Sequence, residues 1–367
     1  MKTKDHYAAL DALRGFSAIS VVLYHLGHWL HSPWLATNSY LAVDFFFCLS
    51  GFVLPFAYEK RLATDMTPLQ FWRIRLIRLM PLVALATILS ALYAAARSAA
   101  HIKIVDYNEL SLAAILGILN VPFLWASFDV GGPQIFPLNG PQFSLFLELI
   151  VNAVWSISSR SFGLLFSLIV CLVSIGGLAV VGIGGDETAT FWSGFPRVGA
   201  SFFLGVLIYR YQAKILPGAS LRPVFFISTA MMIAAFYYPN KLPHVVELSW
   251  ILLVSPLVVI SAARTKLTER WHALALLAGA LSYPIYVLHY PIFRWLNGIY
   301  QIGNLPQKPL IEYPLLLAGI IFASFVLFRY FDEPVRAALG RATASRLGTR
   351  SERPPNASDL PTRTEQR

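Results

Sequence analysis

Residues 162–183 read FGLLFSLIVCLVSIGGLAVVGI, a run without one Asp, Glu, Lys, Arg or His. At 1.5 Å per residue a helix over these positions reaches about 33 Å, enough to cross a hydrocarbon layer of ~30 Å. The apolar character is continuous rather than alternating, so the run suits a spanning helix and not a strand of a closed barrel. Similar segments lie on both sides, near 16–31, 42–58, 75–96, 111–128, 143–157, 195–209, 222–238, 247–263, 273–296 and 313–331. The composition agrees: 56% of the residues are hydrophobic, 13% are charged, and the mean hydropathy is +0.60. A soluble protein needs far more polar surface than this. The fold class expected is therefore all-α, a polytopic transmembrane helix bundle.

Charge in the connections decides which segments cross. Lys and Arg cluster at the N-terminus (Lys2, Lys4), from Glu59 to Arg78, from Arg210 to Arg222, from Arg264 to Arg270, and in the tail from Arg336. The positive-inside rule puts all five on the cytoplasmic side. The net charge of +10 is explained by these connections and needs no nucleic-acid partner. Five segments separate the second cluster from the third, an odd number, so one of them does not cross. Segment 111–128, which contains Asn120 and Pro122, is the one read as re-entrant or peripheral. Ten spans with both termini cytoplasmic follow. Arg160 then falls inside, while Asp186 and Glu187 fall outside. Asp11 and Arg14 precede the first segment and no small-residue cleavage site ends it, so it reads as a retained helix and not a signal peptide. A membrane domain over 1–336 is expected, then a disordered tail over 337–367, which is polar and carries Pro354, Pro355 and Pro361.

Ionisable residues inside apolar helices are costly and point to function. In LDALRGFSAISVVLYH (10–25), Arg14 and His25 lie eleven residues apart, close to three turns, and so share a face. Asp11, three residues before Arg14, is near enough to pair with it. With Arg14 at the inner interface, His25 is expected near mid-membrane. Asp44 opens AVDFFFCLSGFVL; a carboxylate on a helix dipole and a substrate contact both remain open for it. Ser50 and Gly51 there make a small patch where another helix can come close. Arg75 and Arg78 share a face of the third segment. On spacing alone they read first as inner flanking charge, and second as a pair that suits bidentate capture of phosphate. Glu148 lies about one turn into the fifth segment, behind Asn139 and a Gly140-Pro141 break. It can act as a base, partner a protonated His, or form an ion pair with an Arg such as Arg14. Tyr286 and His289 share a face of the tenth segment. His28 and His31 read as interfacial, and Cys48 and Cys171 have no metal spacing, so no metal site is expected.

Taken in order, these pieces resemble the acyltransferase 3 family of bacterial membrane O-acyltransferases. The likeness runs from Leu10 to about Arg336. It is carried by Arg14 with His25, by VDFFFCLSGF, by Arg75 with Arg78, by SLFLE ending in Glu148, by SYPIYVLH, and by DEPVR at 332–336. The resemblance implies that an acyl group, acetyl above all, passes from acyl-CoA to a hydroxyl of a cell-surface polysaccharide or glycolipid. It implies a catalytic role for His25, Arg14 and Glu148, with Glu148 in the outer half of the bundle near the acceptor path. Arg75 and Arg78 would face the phosphates of coenzyme A, and Asp11, Asp44, Asn139, Tyr286 and His289 would give substrate or structural support. It further implies a bacterial inner membrane, surrounded by lipid, and a separate polysaccharide-synthesis machinery as a partner. Phe143 stands where the family pattern has a Trp, and Val151-Asn152 where it has Phe-Tyr, so the acceptor is not fixed by these motifs. The alternative from another class is a transporter or flippase for lipid-linked sugars, which would use the same charges as a polar pathway.

Overall fold

The computed structural model describes residues 7–32, 34–159, 163–215, 221–303 and 308–346. These form thirteen α-helices joined by short 3-10 and π turns, and no strand; Gln134 and Glu187 make one isolated bridge. In chain order the helices are α1 (Ala8–Trp29), α2 (Ala42–Thr64), α3 (Pro68–Ala99), α4 (Tyr107–Ile118), α5 (Gln142–Ser158), α6 (Gly163–Val181) and α7 (Gly194–Ile215). They continue with α8 (Arg222–Tyr237), α9 (His244–Ser249), α10 (Ser255–Ala263), α11 (Glu269–Ile302), α12 (Pro309–Leu327) and α13 (Glu333–Arg346). A π turn at Trp250–Val254 joins α9 to α10, and another at Phe328–Asp332 joins α12 to α13, so each pair makes one continuous rod.

Among the described residues eight such rods are long and apolar enough to cross a membrane. The chain is a helical membrane protein. Helices α5 and α8, of 17 and 16 residues, fall just short of that length. Both are needed to reach the expected ten crossings. Helix α4 has 12 residues, about 18 Å, and covers only the first part of the segment read at 111–128. It cannot span, in keeping with the expectation that this segment does not cross. Helix α13 continues ten residues past the boundary expected at 336, while 347–367 and Arg160 lie outside the described residues.

Local sequence explains where the helices start. Thr67 and Gln70 make a reciprocal capping box at the start of α3, and Pro68 follows at the first helical position. Close approach is set by small residues. A Cβ at Gly51 of α2 would overlap the backbone carbonyl of Phe202 in α7, so only Gly lets these helices pack this tightly. At the crossing of α1 and α11, a Cβ at Gly279 would overlap Asp11. Here the small-residue patch read at Ser50-Gly51 has its partner helix, α7. The result is that α1, α2, α3, α5 and α11 surround one space, with Arg14, Arg75, Arg78, Glu148 and Tyr286 on their facing sides.

Candidate active site

A cavity of about 230 Å³ opens between these five helices. Arg14, Arg75, Arg78 and Glu148 line it together with Ser50, and Phe46, Ser144 and Tyr286 line it as well. Three cations and two carboxylates, Asp11 and Glu148, thus meet in a space otherwise walled mainly by Leu, Val, Phe and Tyr.

Each charge is held by specific partners. Arg14 Nη2 pairs with Asp11 at 3.1 Å, as their i,i+3 spacing predicts, and also donates to Gly279 O at 2.5 Å, while Nε donates to Ser282 Oγ at 2.8 Å. Arg75 pairs with Glu148 at 2.5 Å, and Ser50 Oγ donates to the same carboxylate oxygen at 2.9 Å. Arg78 forms no ion pair among the described residues, although it lines the same cavity. The ion pair of Glu148 is therefore with Arg75 and not with Arg14. Glu148 lies six residues into α5, about 9 Å along a helix of about 26 Å, where Arg75 reaches it.

His25 stands outside the cavity wall. Counting 1.5 Å per residue, it lies about 25 Å along α1 and only about 6 Å from the helix end at Trp29. The expected mid-membrane position is corrected accordingly, because α1 begins six residues before Arg14 and ends four after His25. His25 lies in a cluster of rings: its centroid is 5.3 Å from Trp29, 5.1 Å from Tyr24 and 5.1 Å from His289. Tyr286 stands between cavity and histidines. It lines the cavity, its ring is 6.1 Å from His289 and 5.6 Å from Phe46, and its hydroxyl shares a 2.7 Å hydrogen bond with Ser144.

Two further expected support residues, Asp44 and Asn139, have structural partners. Asp44 is fully buried and accepts two hydrogen bonds from Arg197 of α7, at 3.0 and 2.8 Å. Arg197 donates further to the carbonyls of Gly184 and Tyr40. A lone Arg inside the apolar run 195–209 was the signal for this partner, and only the fold shows what it meets. Asn139 Nδ2 donates to the carbonyl of Val287 at 3.3 Å. Pro291, four residues further on, has no N–H to offer that carbonyl, so Asn139 fills the gap that the proline leaves in α11. The DEPVR motif places buried Asp332 2.7 Å from Arg336. No group of three or more His, Cys, Asp or Glu with metal-binding geometry occurs among the described residues.

Comparison with known proteins bears on what this arrangement does. A family described as "Acyltransferase domain" matches residues 7–329. Among relatives, "Protein 2 in picA locus" of Rhizobium radiobacter is 37% identical over 161 residues, covering 41% of this chain and 82% of that protein. "O-acetyltransferase OatA" of Staphylococcus aureus is 22% identical over 374 residues, covering 92% of this chain. The chain spans 58% of the length of that relative. No solved structure matches. The family match covers the whole bundle that builds the cavity, and the chain belongs to this family of membrane acyltransferase domains.

Proposed function

We propose that the protein transfers an acyl group, acetyl in the simplest case, from acyl-CoA to a hydroxyl of a cell-surface or extracellular glycan or glycolipid. The bundle would lie in the inner membrane of a bacterium, with both termini in the cytoplasm, in keeping with the positive connections and the even crossing count. The observation that carries this reading is the cavity itself. It holds three arginines near one another and ends against Tyr286, behind which His289 and His25 lie.

A coenzyme A donor matches that gradient. A volume of about 230 Å³ takes an acyl group and part of a slender chain, and leaves the nucleotide at the mouth. Arg78, without an ion pair, is the free cation for its phosphates. Arg75 is already engaged with Glu148, so a phosphate that recruits it must displace the carboxylate. Arg78→Ala is accordingly expected to raise the donor KM by ~10–100-fold, the worth of one charge-assisted contact, with kcat kept within about threefold. Arg75→Ala is expected to lower kcat as well, because Glu148 loses its partner. Steady-state kinetics of both variants check this, and an unchanged donor KM in Arg78→Ala removes the phosphate assignment.

The His25 cluster would take the acceptor from the other side, where α1 ends. His25 acts there as general base toward the acceptor hydroxyl or receives the acyl group itself. The name of the Staphylococcus relative supports acetyl as the group and oxygen as the acceptor atom. Mass spectrometry of surface glycans from cells with and without the protein tests the reading directly. Loss of one acyl mass from a glycan on deletion is the expected result. An unchanged acylation profile together with altered export of a lipid-linked sugar would replace it with the transporter alternative.

A further inference from the structure

The imidazole of His289 is fully buried, and its two nitrogens differ. Nδ1 lies 2.7 Å from the carbonyl of Tyr286 and 3.2 Å from that of Ile285, the acceptors three and four residues back in α11. A carbonyl oxygen only accepts, so Nδ1 must carry the hydrogen. In a neutral ring Nε2 is then a bare lone pair. It has no hydrogen-bond partner, which is unusual for a buried nitrogen. A fixed donor at Nδ1 and an open acceptor at Nε2 is the tautomer that a general base requires, with backbone carbonyls in the orienting role that a carboxylate plays in a Ser-His-Asp triad.

Its nearest titratable neighbour is His25. The two ring centroids are 5.1 Å apart. Each imidazole nitrogen lies about 1.2 Å from its ring centre and an N–H···N bond spans ~2.9–3.0 Å, so at this separation a turn of the His25 ring would bring a nitrogen onto Nε2, which has no partner while the rings stand tilted by 33°. The other groups around the pair are Tyr286 on α11, with its hydroxyl on Ser144, and Tyr24 and His28 on α1. No Asp, Glu, Lys or Arg of the described residues makes a hydrogen bond or ion pair with His289, so nothing there competes with His25 for Nε2.

We infer that His289 is the proton partner of His25, a positioning residue that drains and returns the proton of acyl transfer. The inference rests on the transferase reading, with His25 as the base. The acceptor oxygen bonds to the thioester carbonyl carbon, and the C–S bond breaks with its electron pair going to sulfur. The hydroxyl proton goes to one nitrogen of His25, whose other N–H passes its proton to Nε2 of His289. The resulting cation keeps Nδ1–H on two carbonyls, which stabilise it. The proton then returns through His25 to the thiolate, and free thiol leaves. No oxidant or further reactant enters.

Asparagine at 289 separates this role from a structural one. Its side-chain amide can keep the donor bond to the carbonyl of Tyr286 and has nothing in the place of Nε2. His289→Asn is expected to lower kcat by ~10²-fold with donor KM and thermal midpoint near wild type. A kcat within about threefold of wild type would show that only the Nδ1 bond matters and overturn the inference. A second measurement needs no variant to fold: ¹⁵N spectra of the ¹⁵N-histidine wild-type protein should give His289 a protonated Nδ1 and an unprotonated Nε2. A protonated Nε2 with bare Nδ1 overturns the inference as well. Wild-type protein that transfers no acyl group would instead sink the transferase reading, and the ring assignment would still be read on its own.

Discussion

His25→Ala is expected to lower acyl transfer by ~10²–10⁴-fold while leaving the fold and donor affinity almost unchanged, which makes it the largest catalytic effect in the molecule. The argument is one of position. The arginines that would hold the donor lie on the far side of Tyr286, and Arg14 is about 16 Å from His25 along α1. A missing imidazole therefore does not reach the donor contacts. Stability is little affected too, because His25 is half-buried near the end of its helix, stacked on Trp29 and edge-on to Tyr24. Transfer to glycan, donor affinity by titration, and thermal midpoint in detergent together check the prediction. Wild-type transfer in the variant at matched expression would remove the mechanism.

What the sequence made legible was what is local along the chain. The apolar runs predict the helices, and the short α4 agrees with a segment that charge parity had already set apart. Asp11 with Arg14 is an i,i+3 pair and needs only helix geometry. The pairs between helices were not legible in that way. Arg75 meets Glu148 across 73 positions and Asp44 meets Arg197 across 153, and no spacing rule connects residues so far apart. Each partner was visible as a charge inside an apolar run, but which charge met which depended on how the helices cross. Helix crossing also decided depth. His25 lies nearer a helix end than expected because its depth was counted from an assumed interface and not from the ends of α1. Asn139 lies between these cases: Pro291 predicts that the carbonyl of Val287 lacks its usual partner, yet only the fold supplies the donor.

The largest expected loss of stability comes from Asp44→Ala. Asp44 and Arg197 are exposed by 0% and 3%, and their bidentate contact leaves the guanidinium dependent on that carboxylate. Removing one partner of such a pair strands a charge in the interior and costs ~3–5 kcal/mol, far more than a surface pair is worth. The locked helices are α2 and α7, and α2 supplies Phe46 and Ser50 to the cavity. Activity should therefore fall together with folded protein. A change that removes both charges distinguishes a lock from a catalytic group. In Asp44→Leu with Arg197→Met no charge is stranded, although the carbonyls of Gly184 and Tyr40 lose a donor, at ~1–3 kcal/mol for each buried group left unpaired. That loss, ~2–6 kcal/mol in all, overlaps the one in Asp44→Ala, so transfer decides: the part of the double variant that folds should still transfer. Thermal midpoints in detergent and transfer per folded molecule measure both halves. If Asp44→Ala keeps its midpoint but loses transfer, Asp44 acts on substrate and the lock is wrong. If stability falls and the folded double variant works, the buried carboxylate serves the bundle, and the chemistry belongs to the cavity and the histidine pair above it.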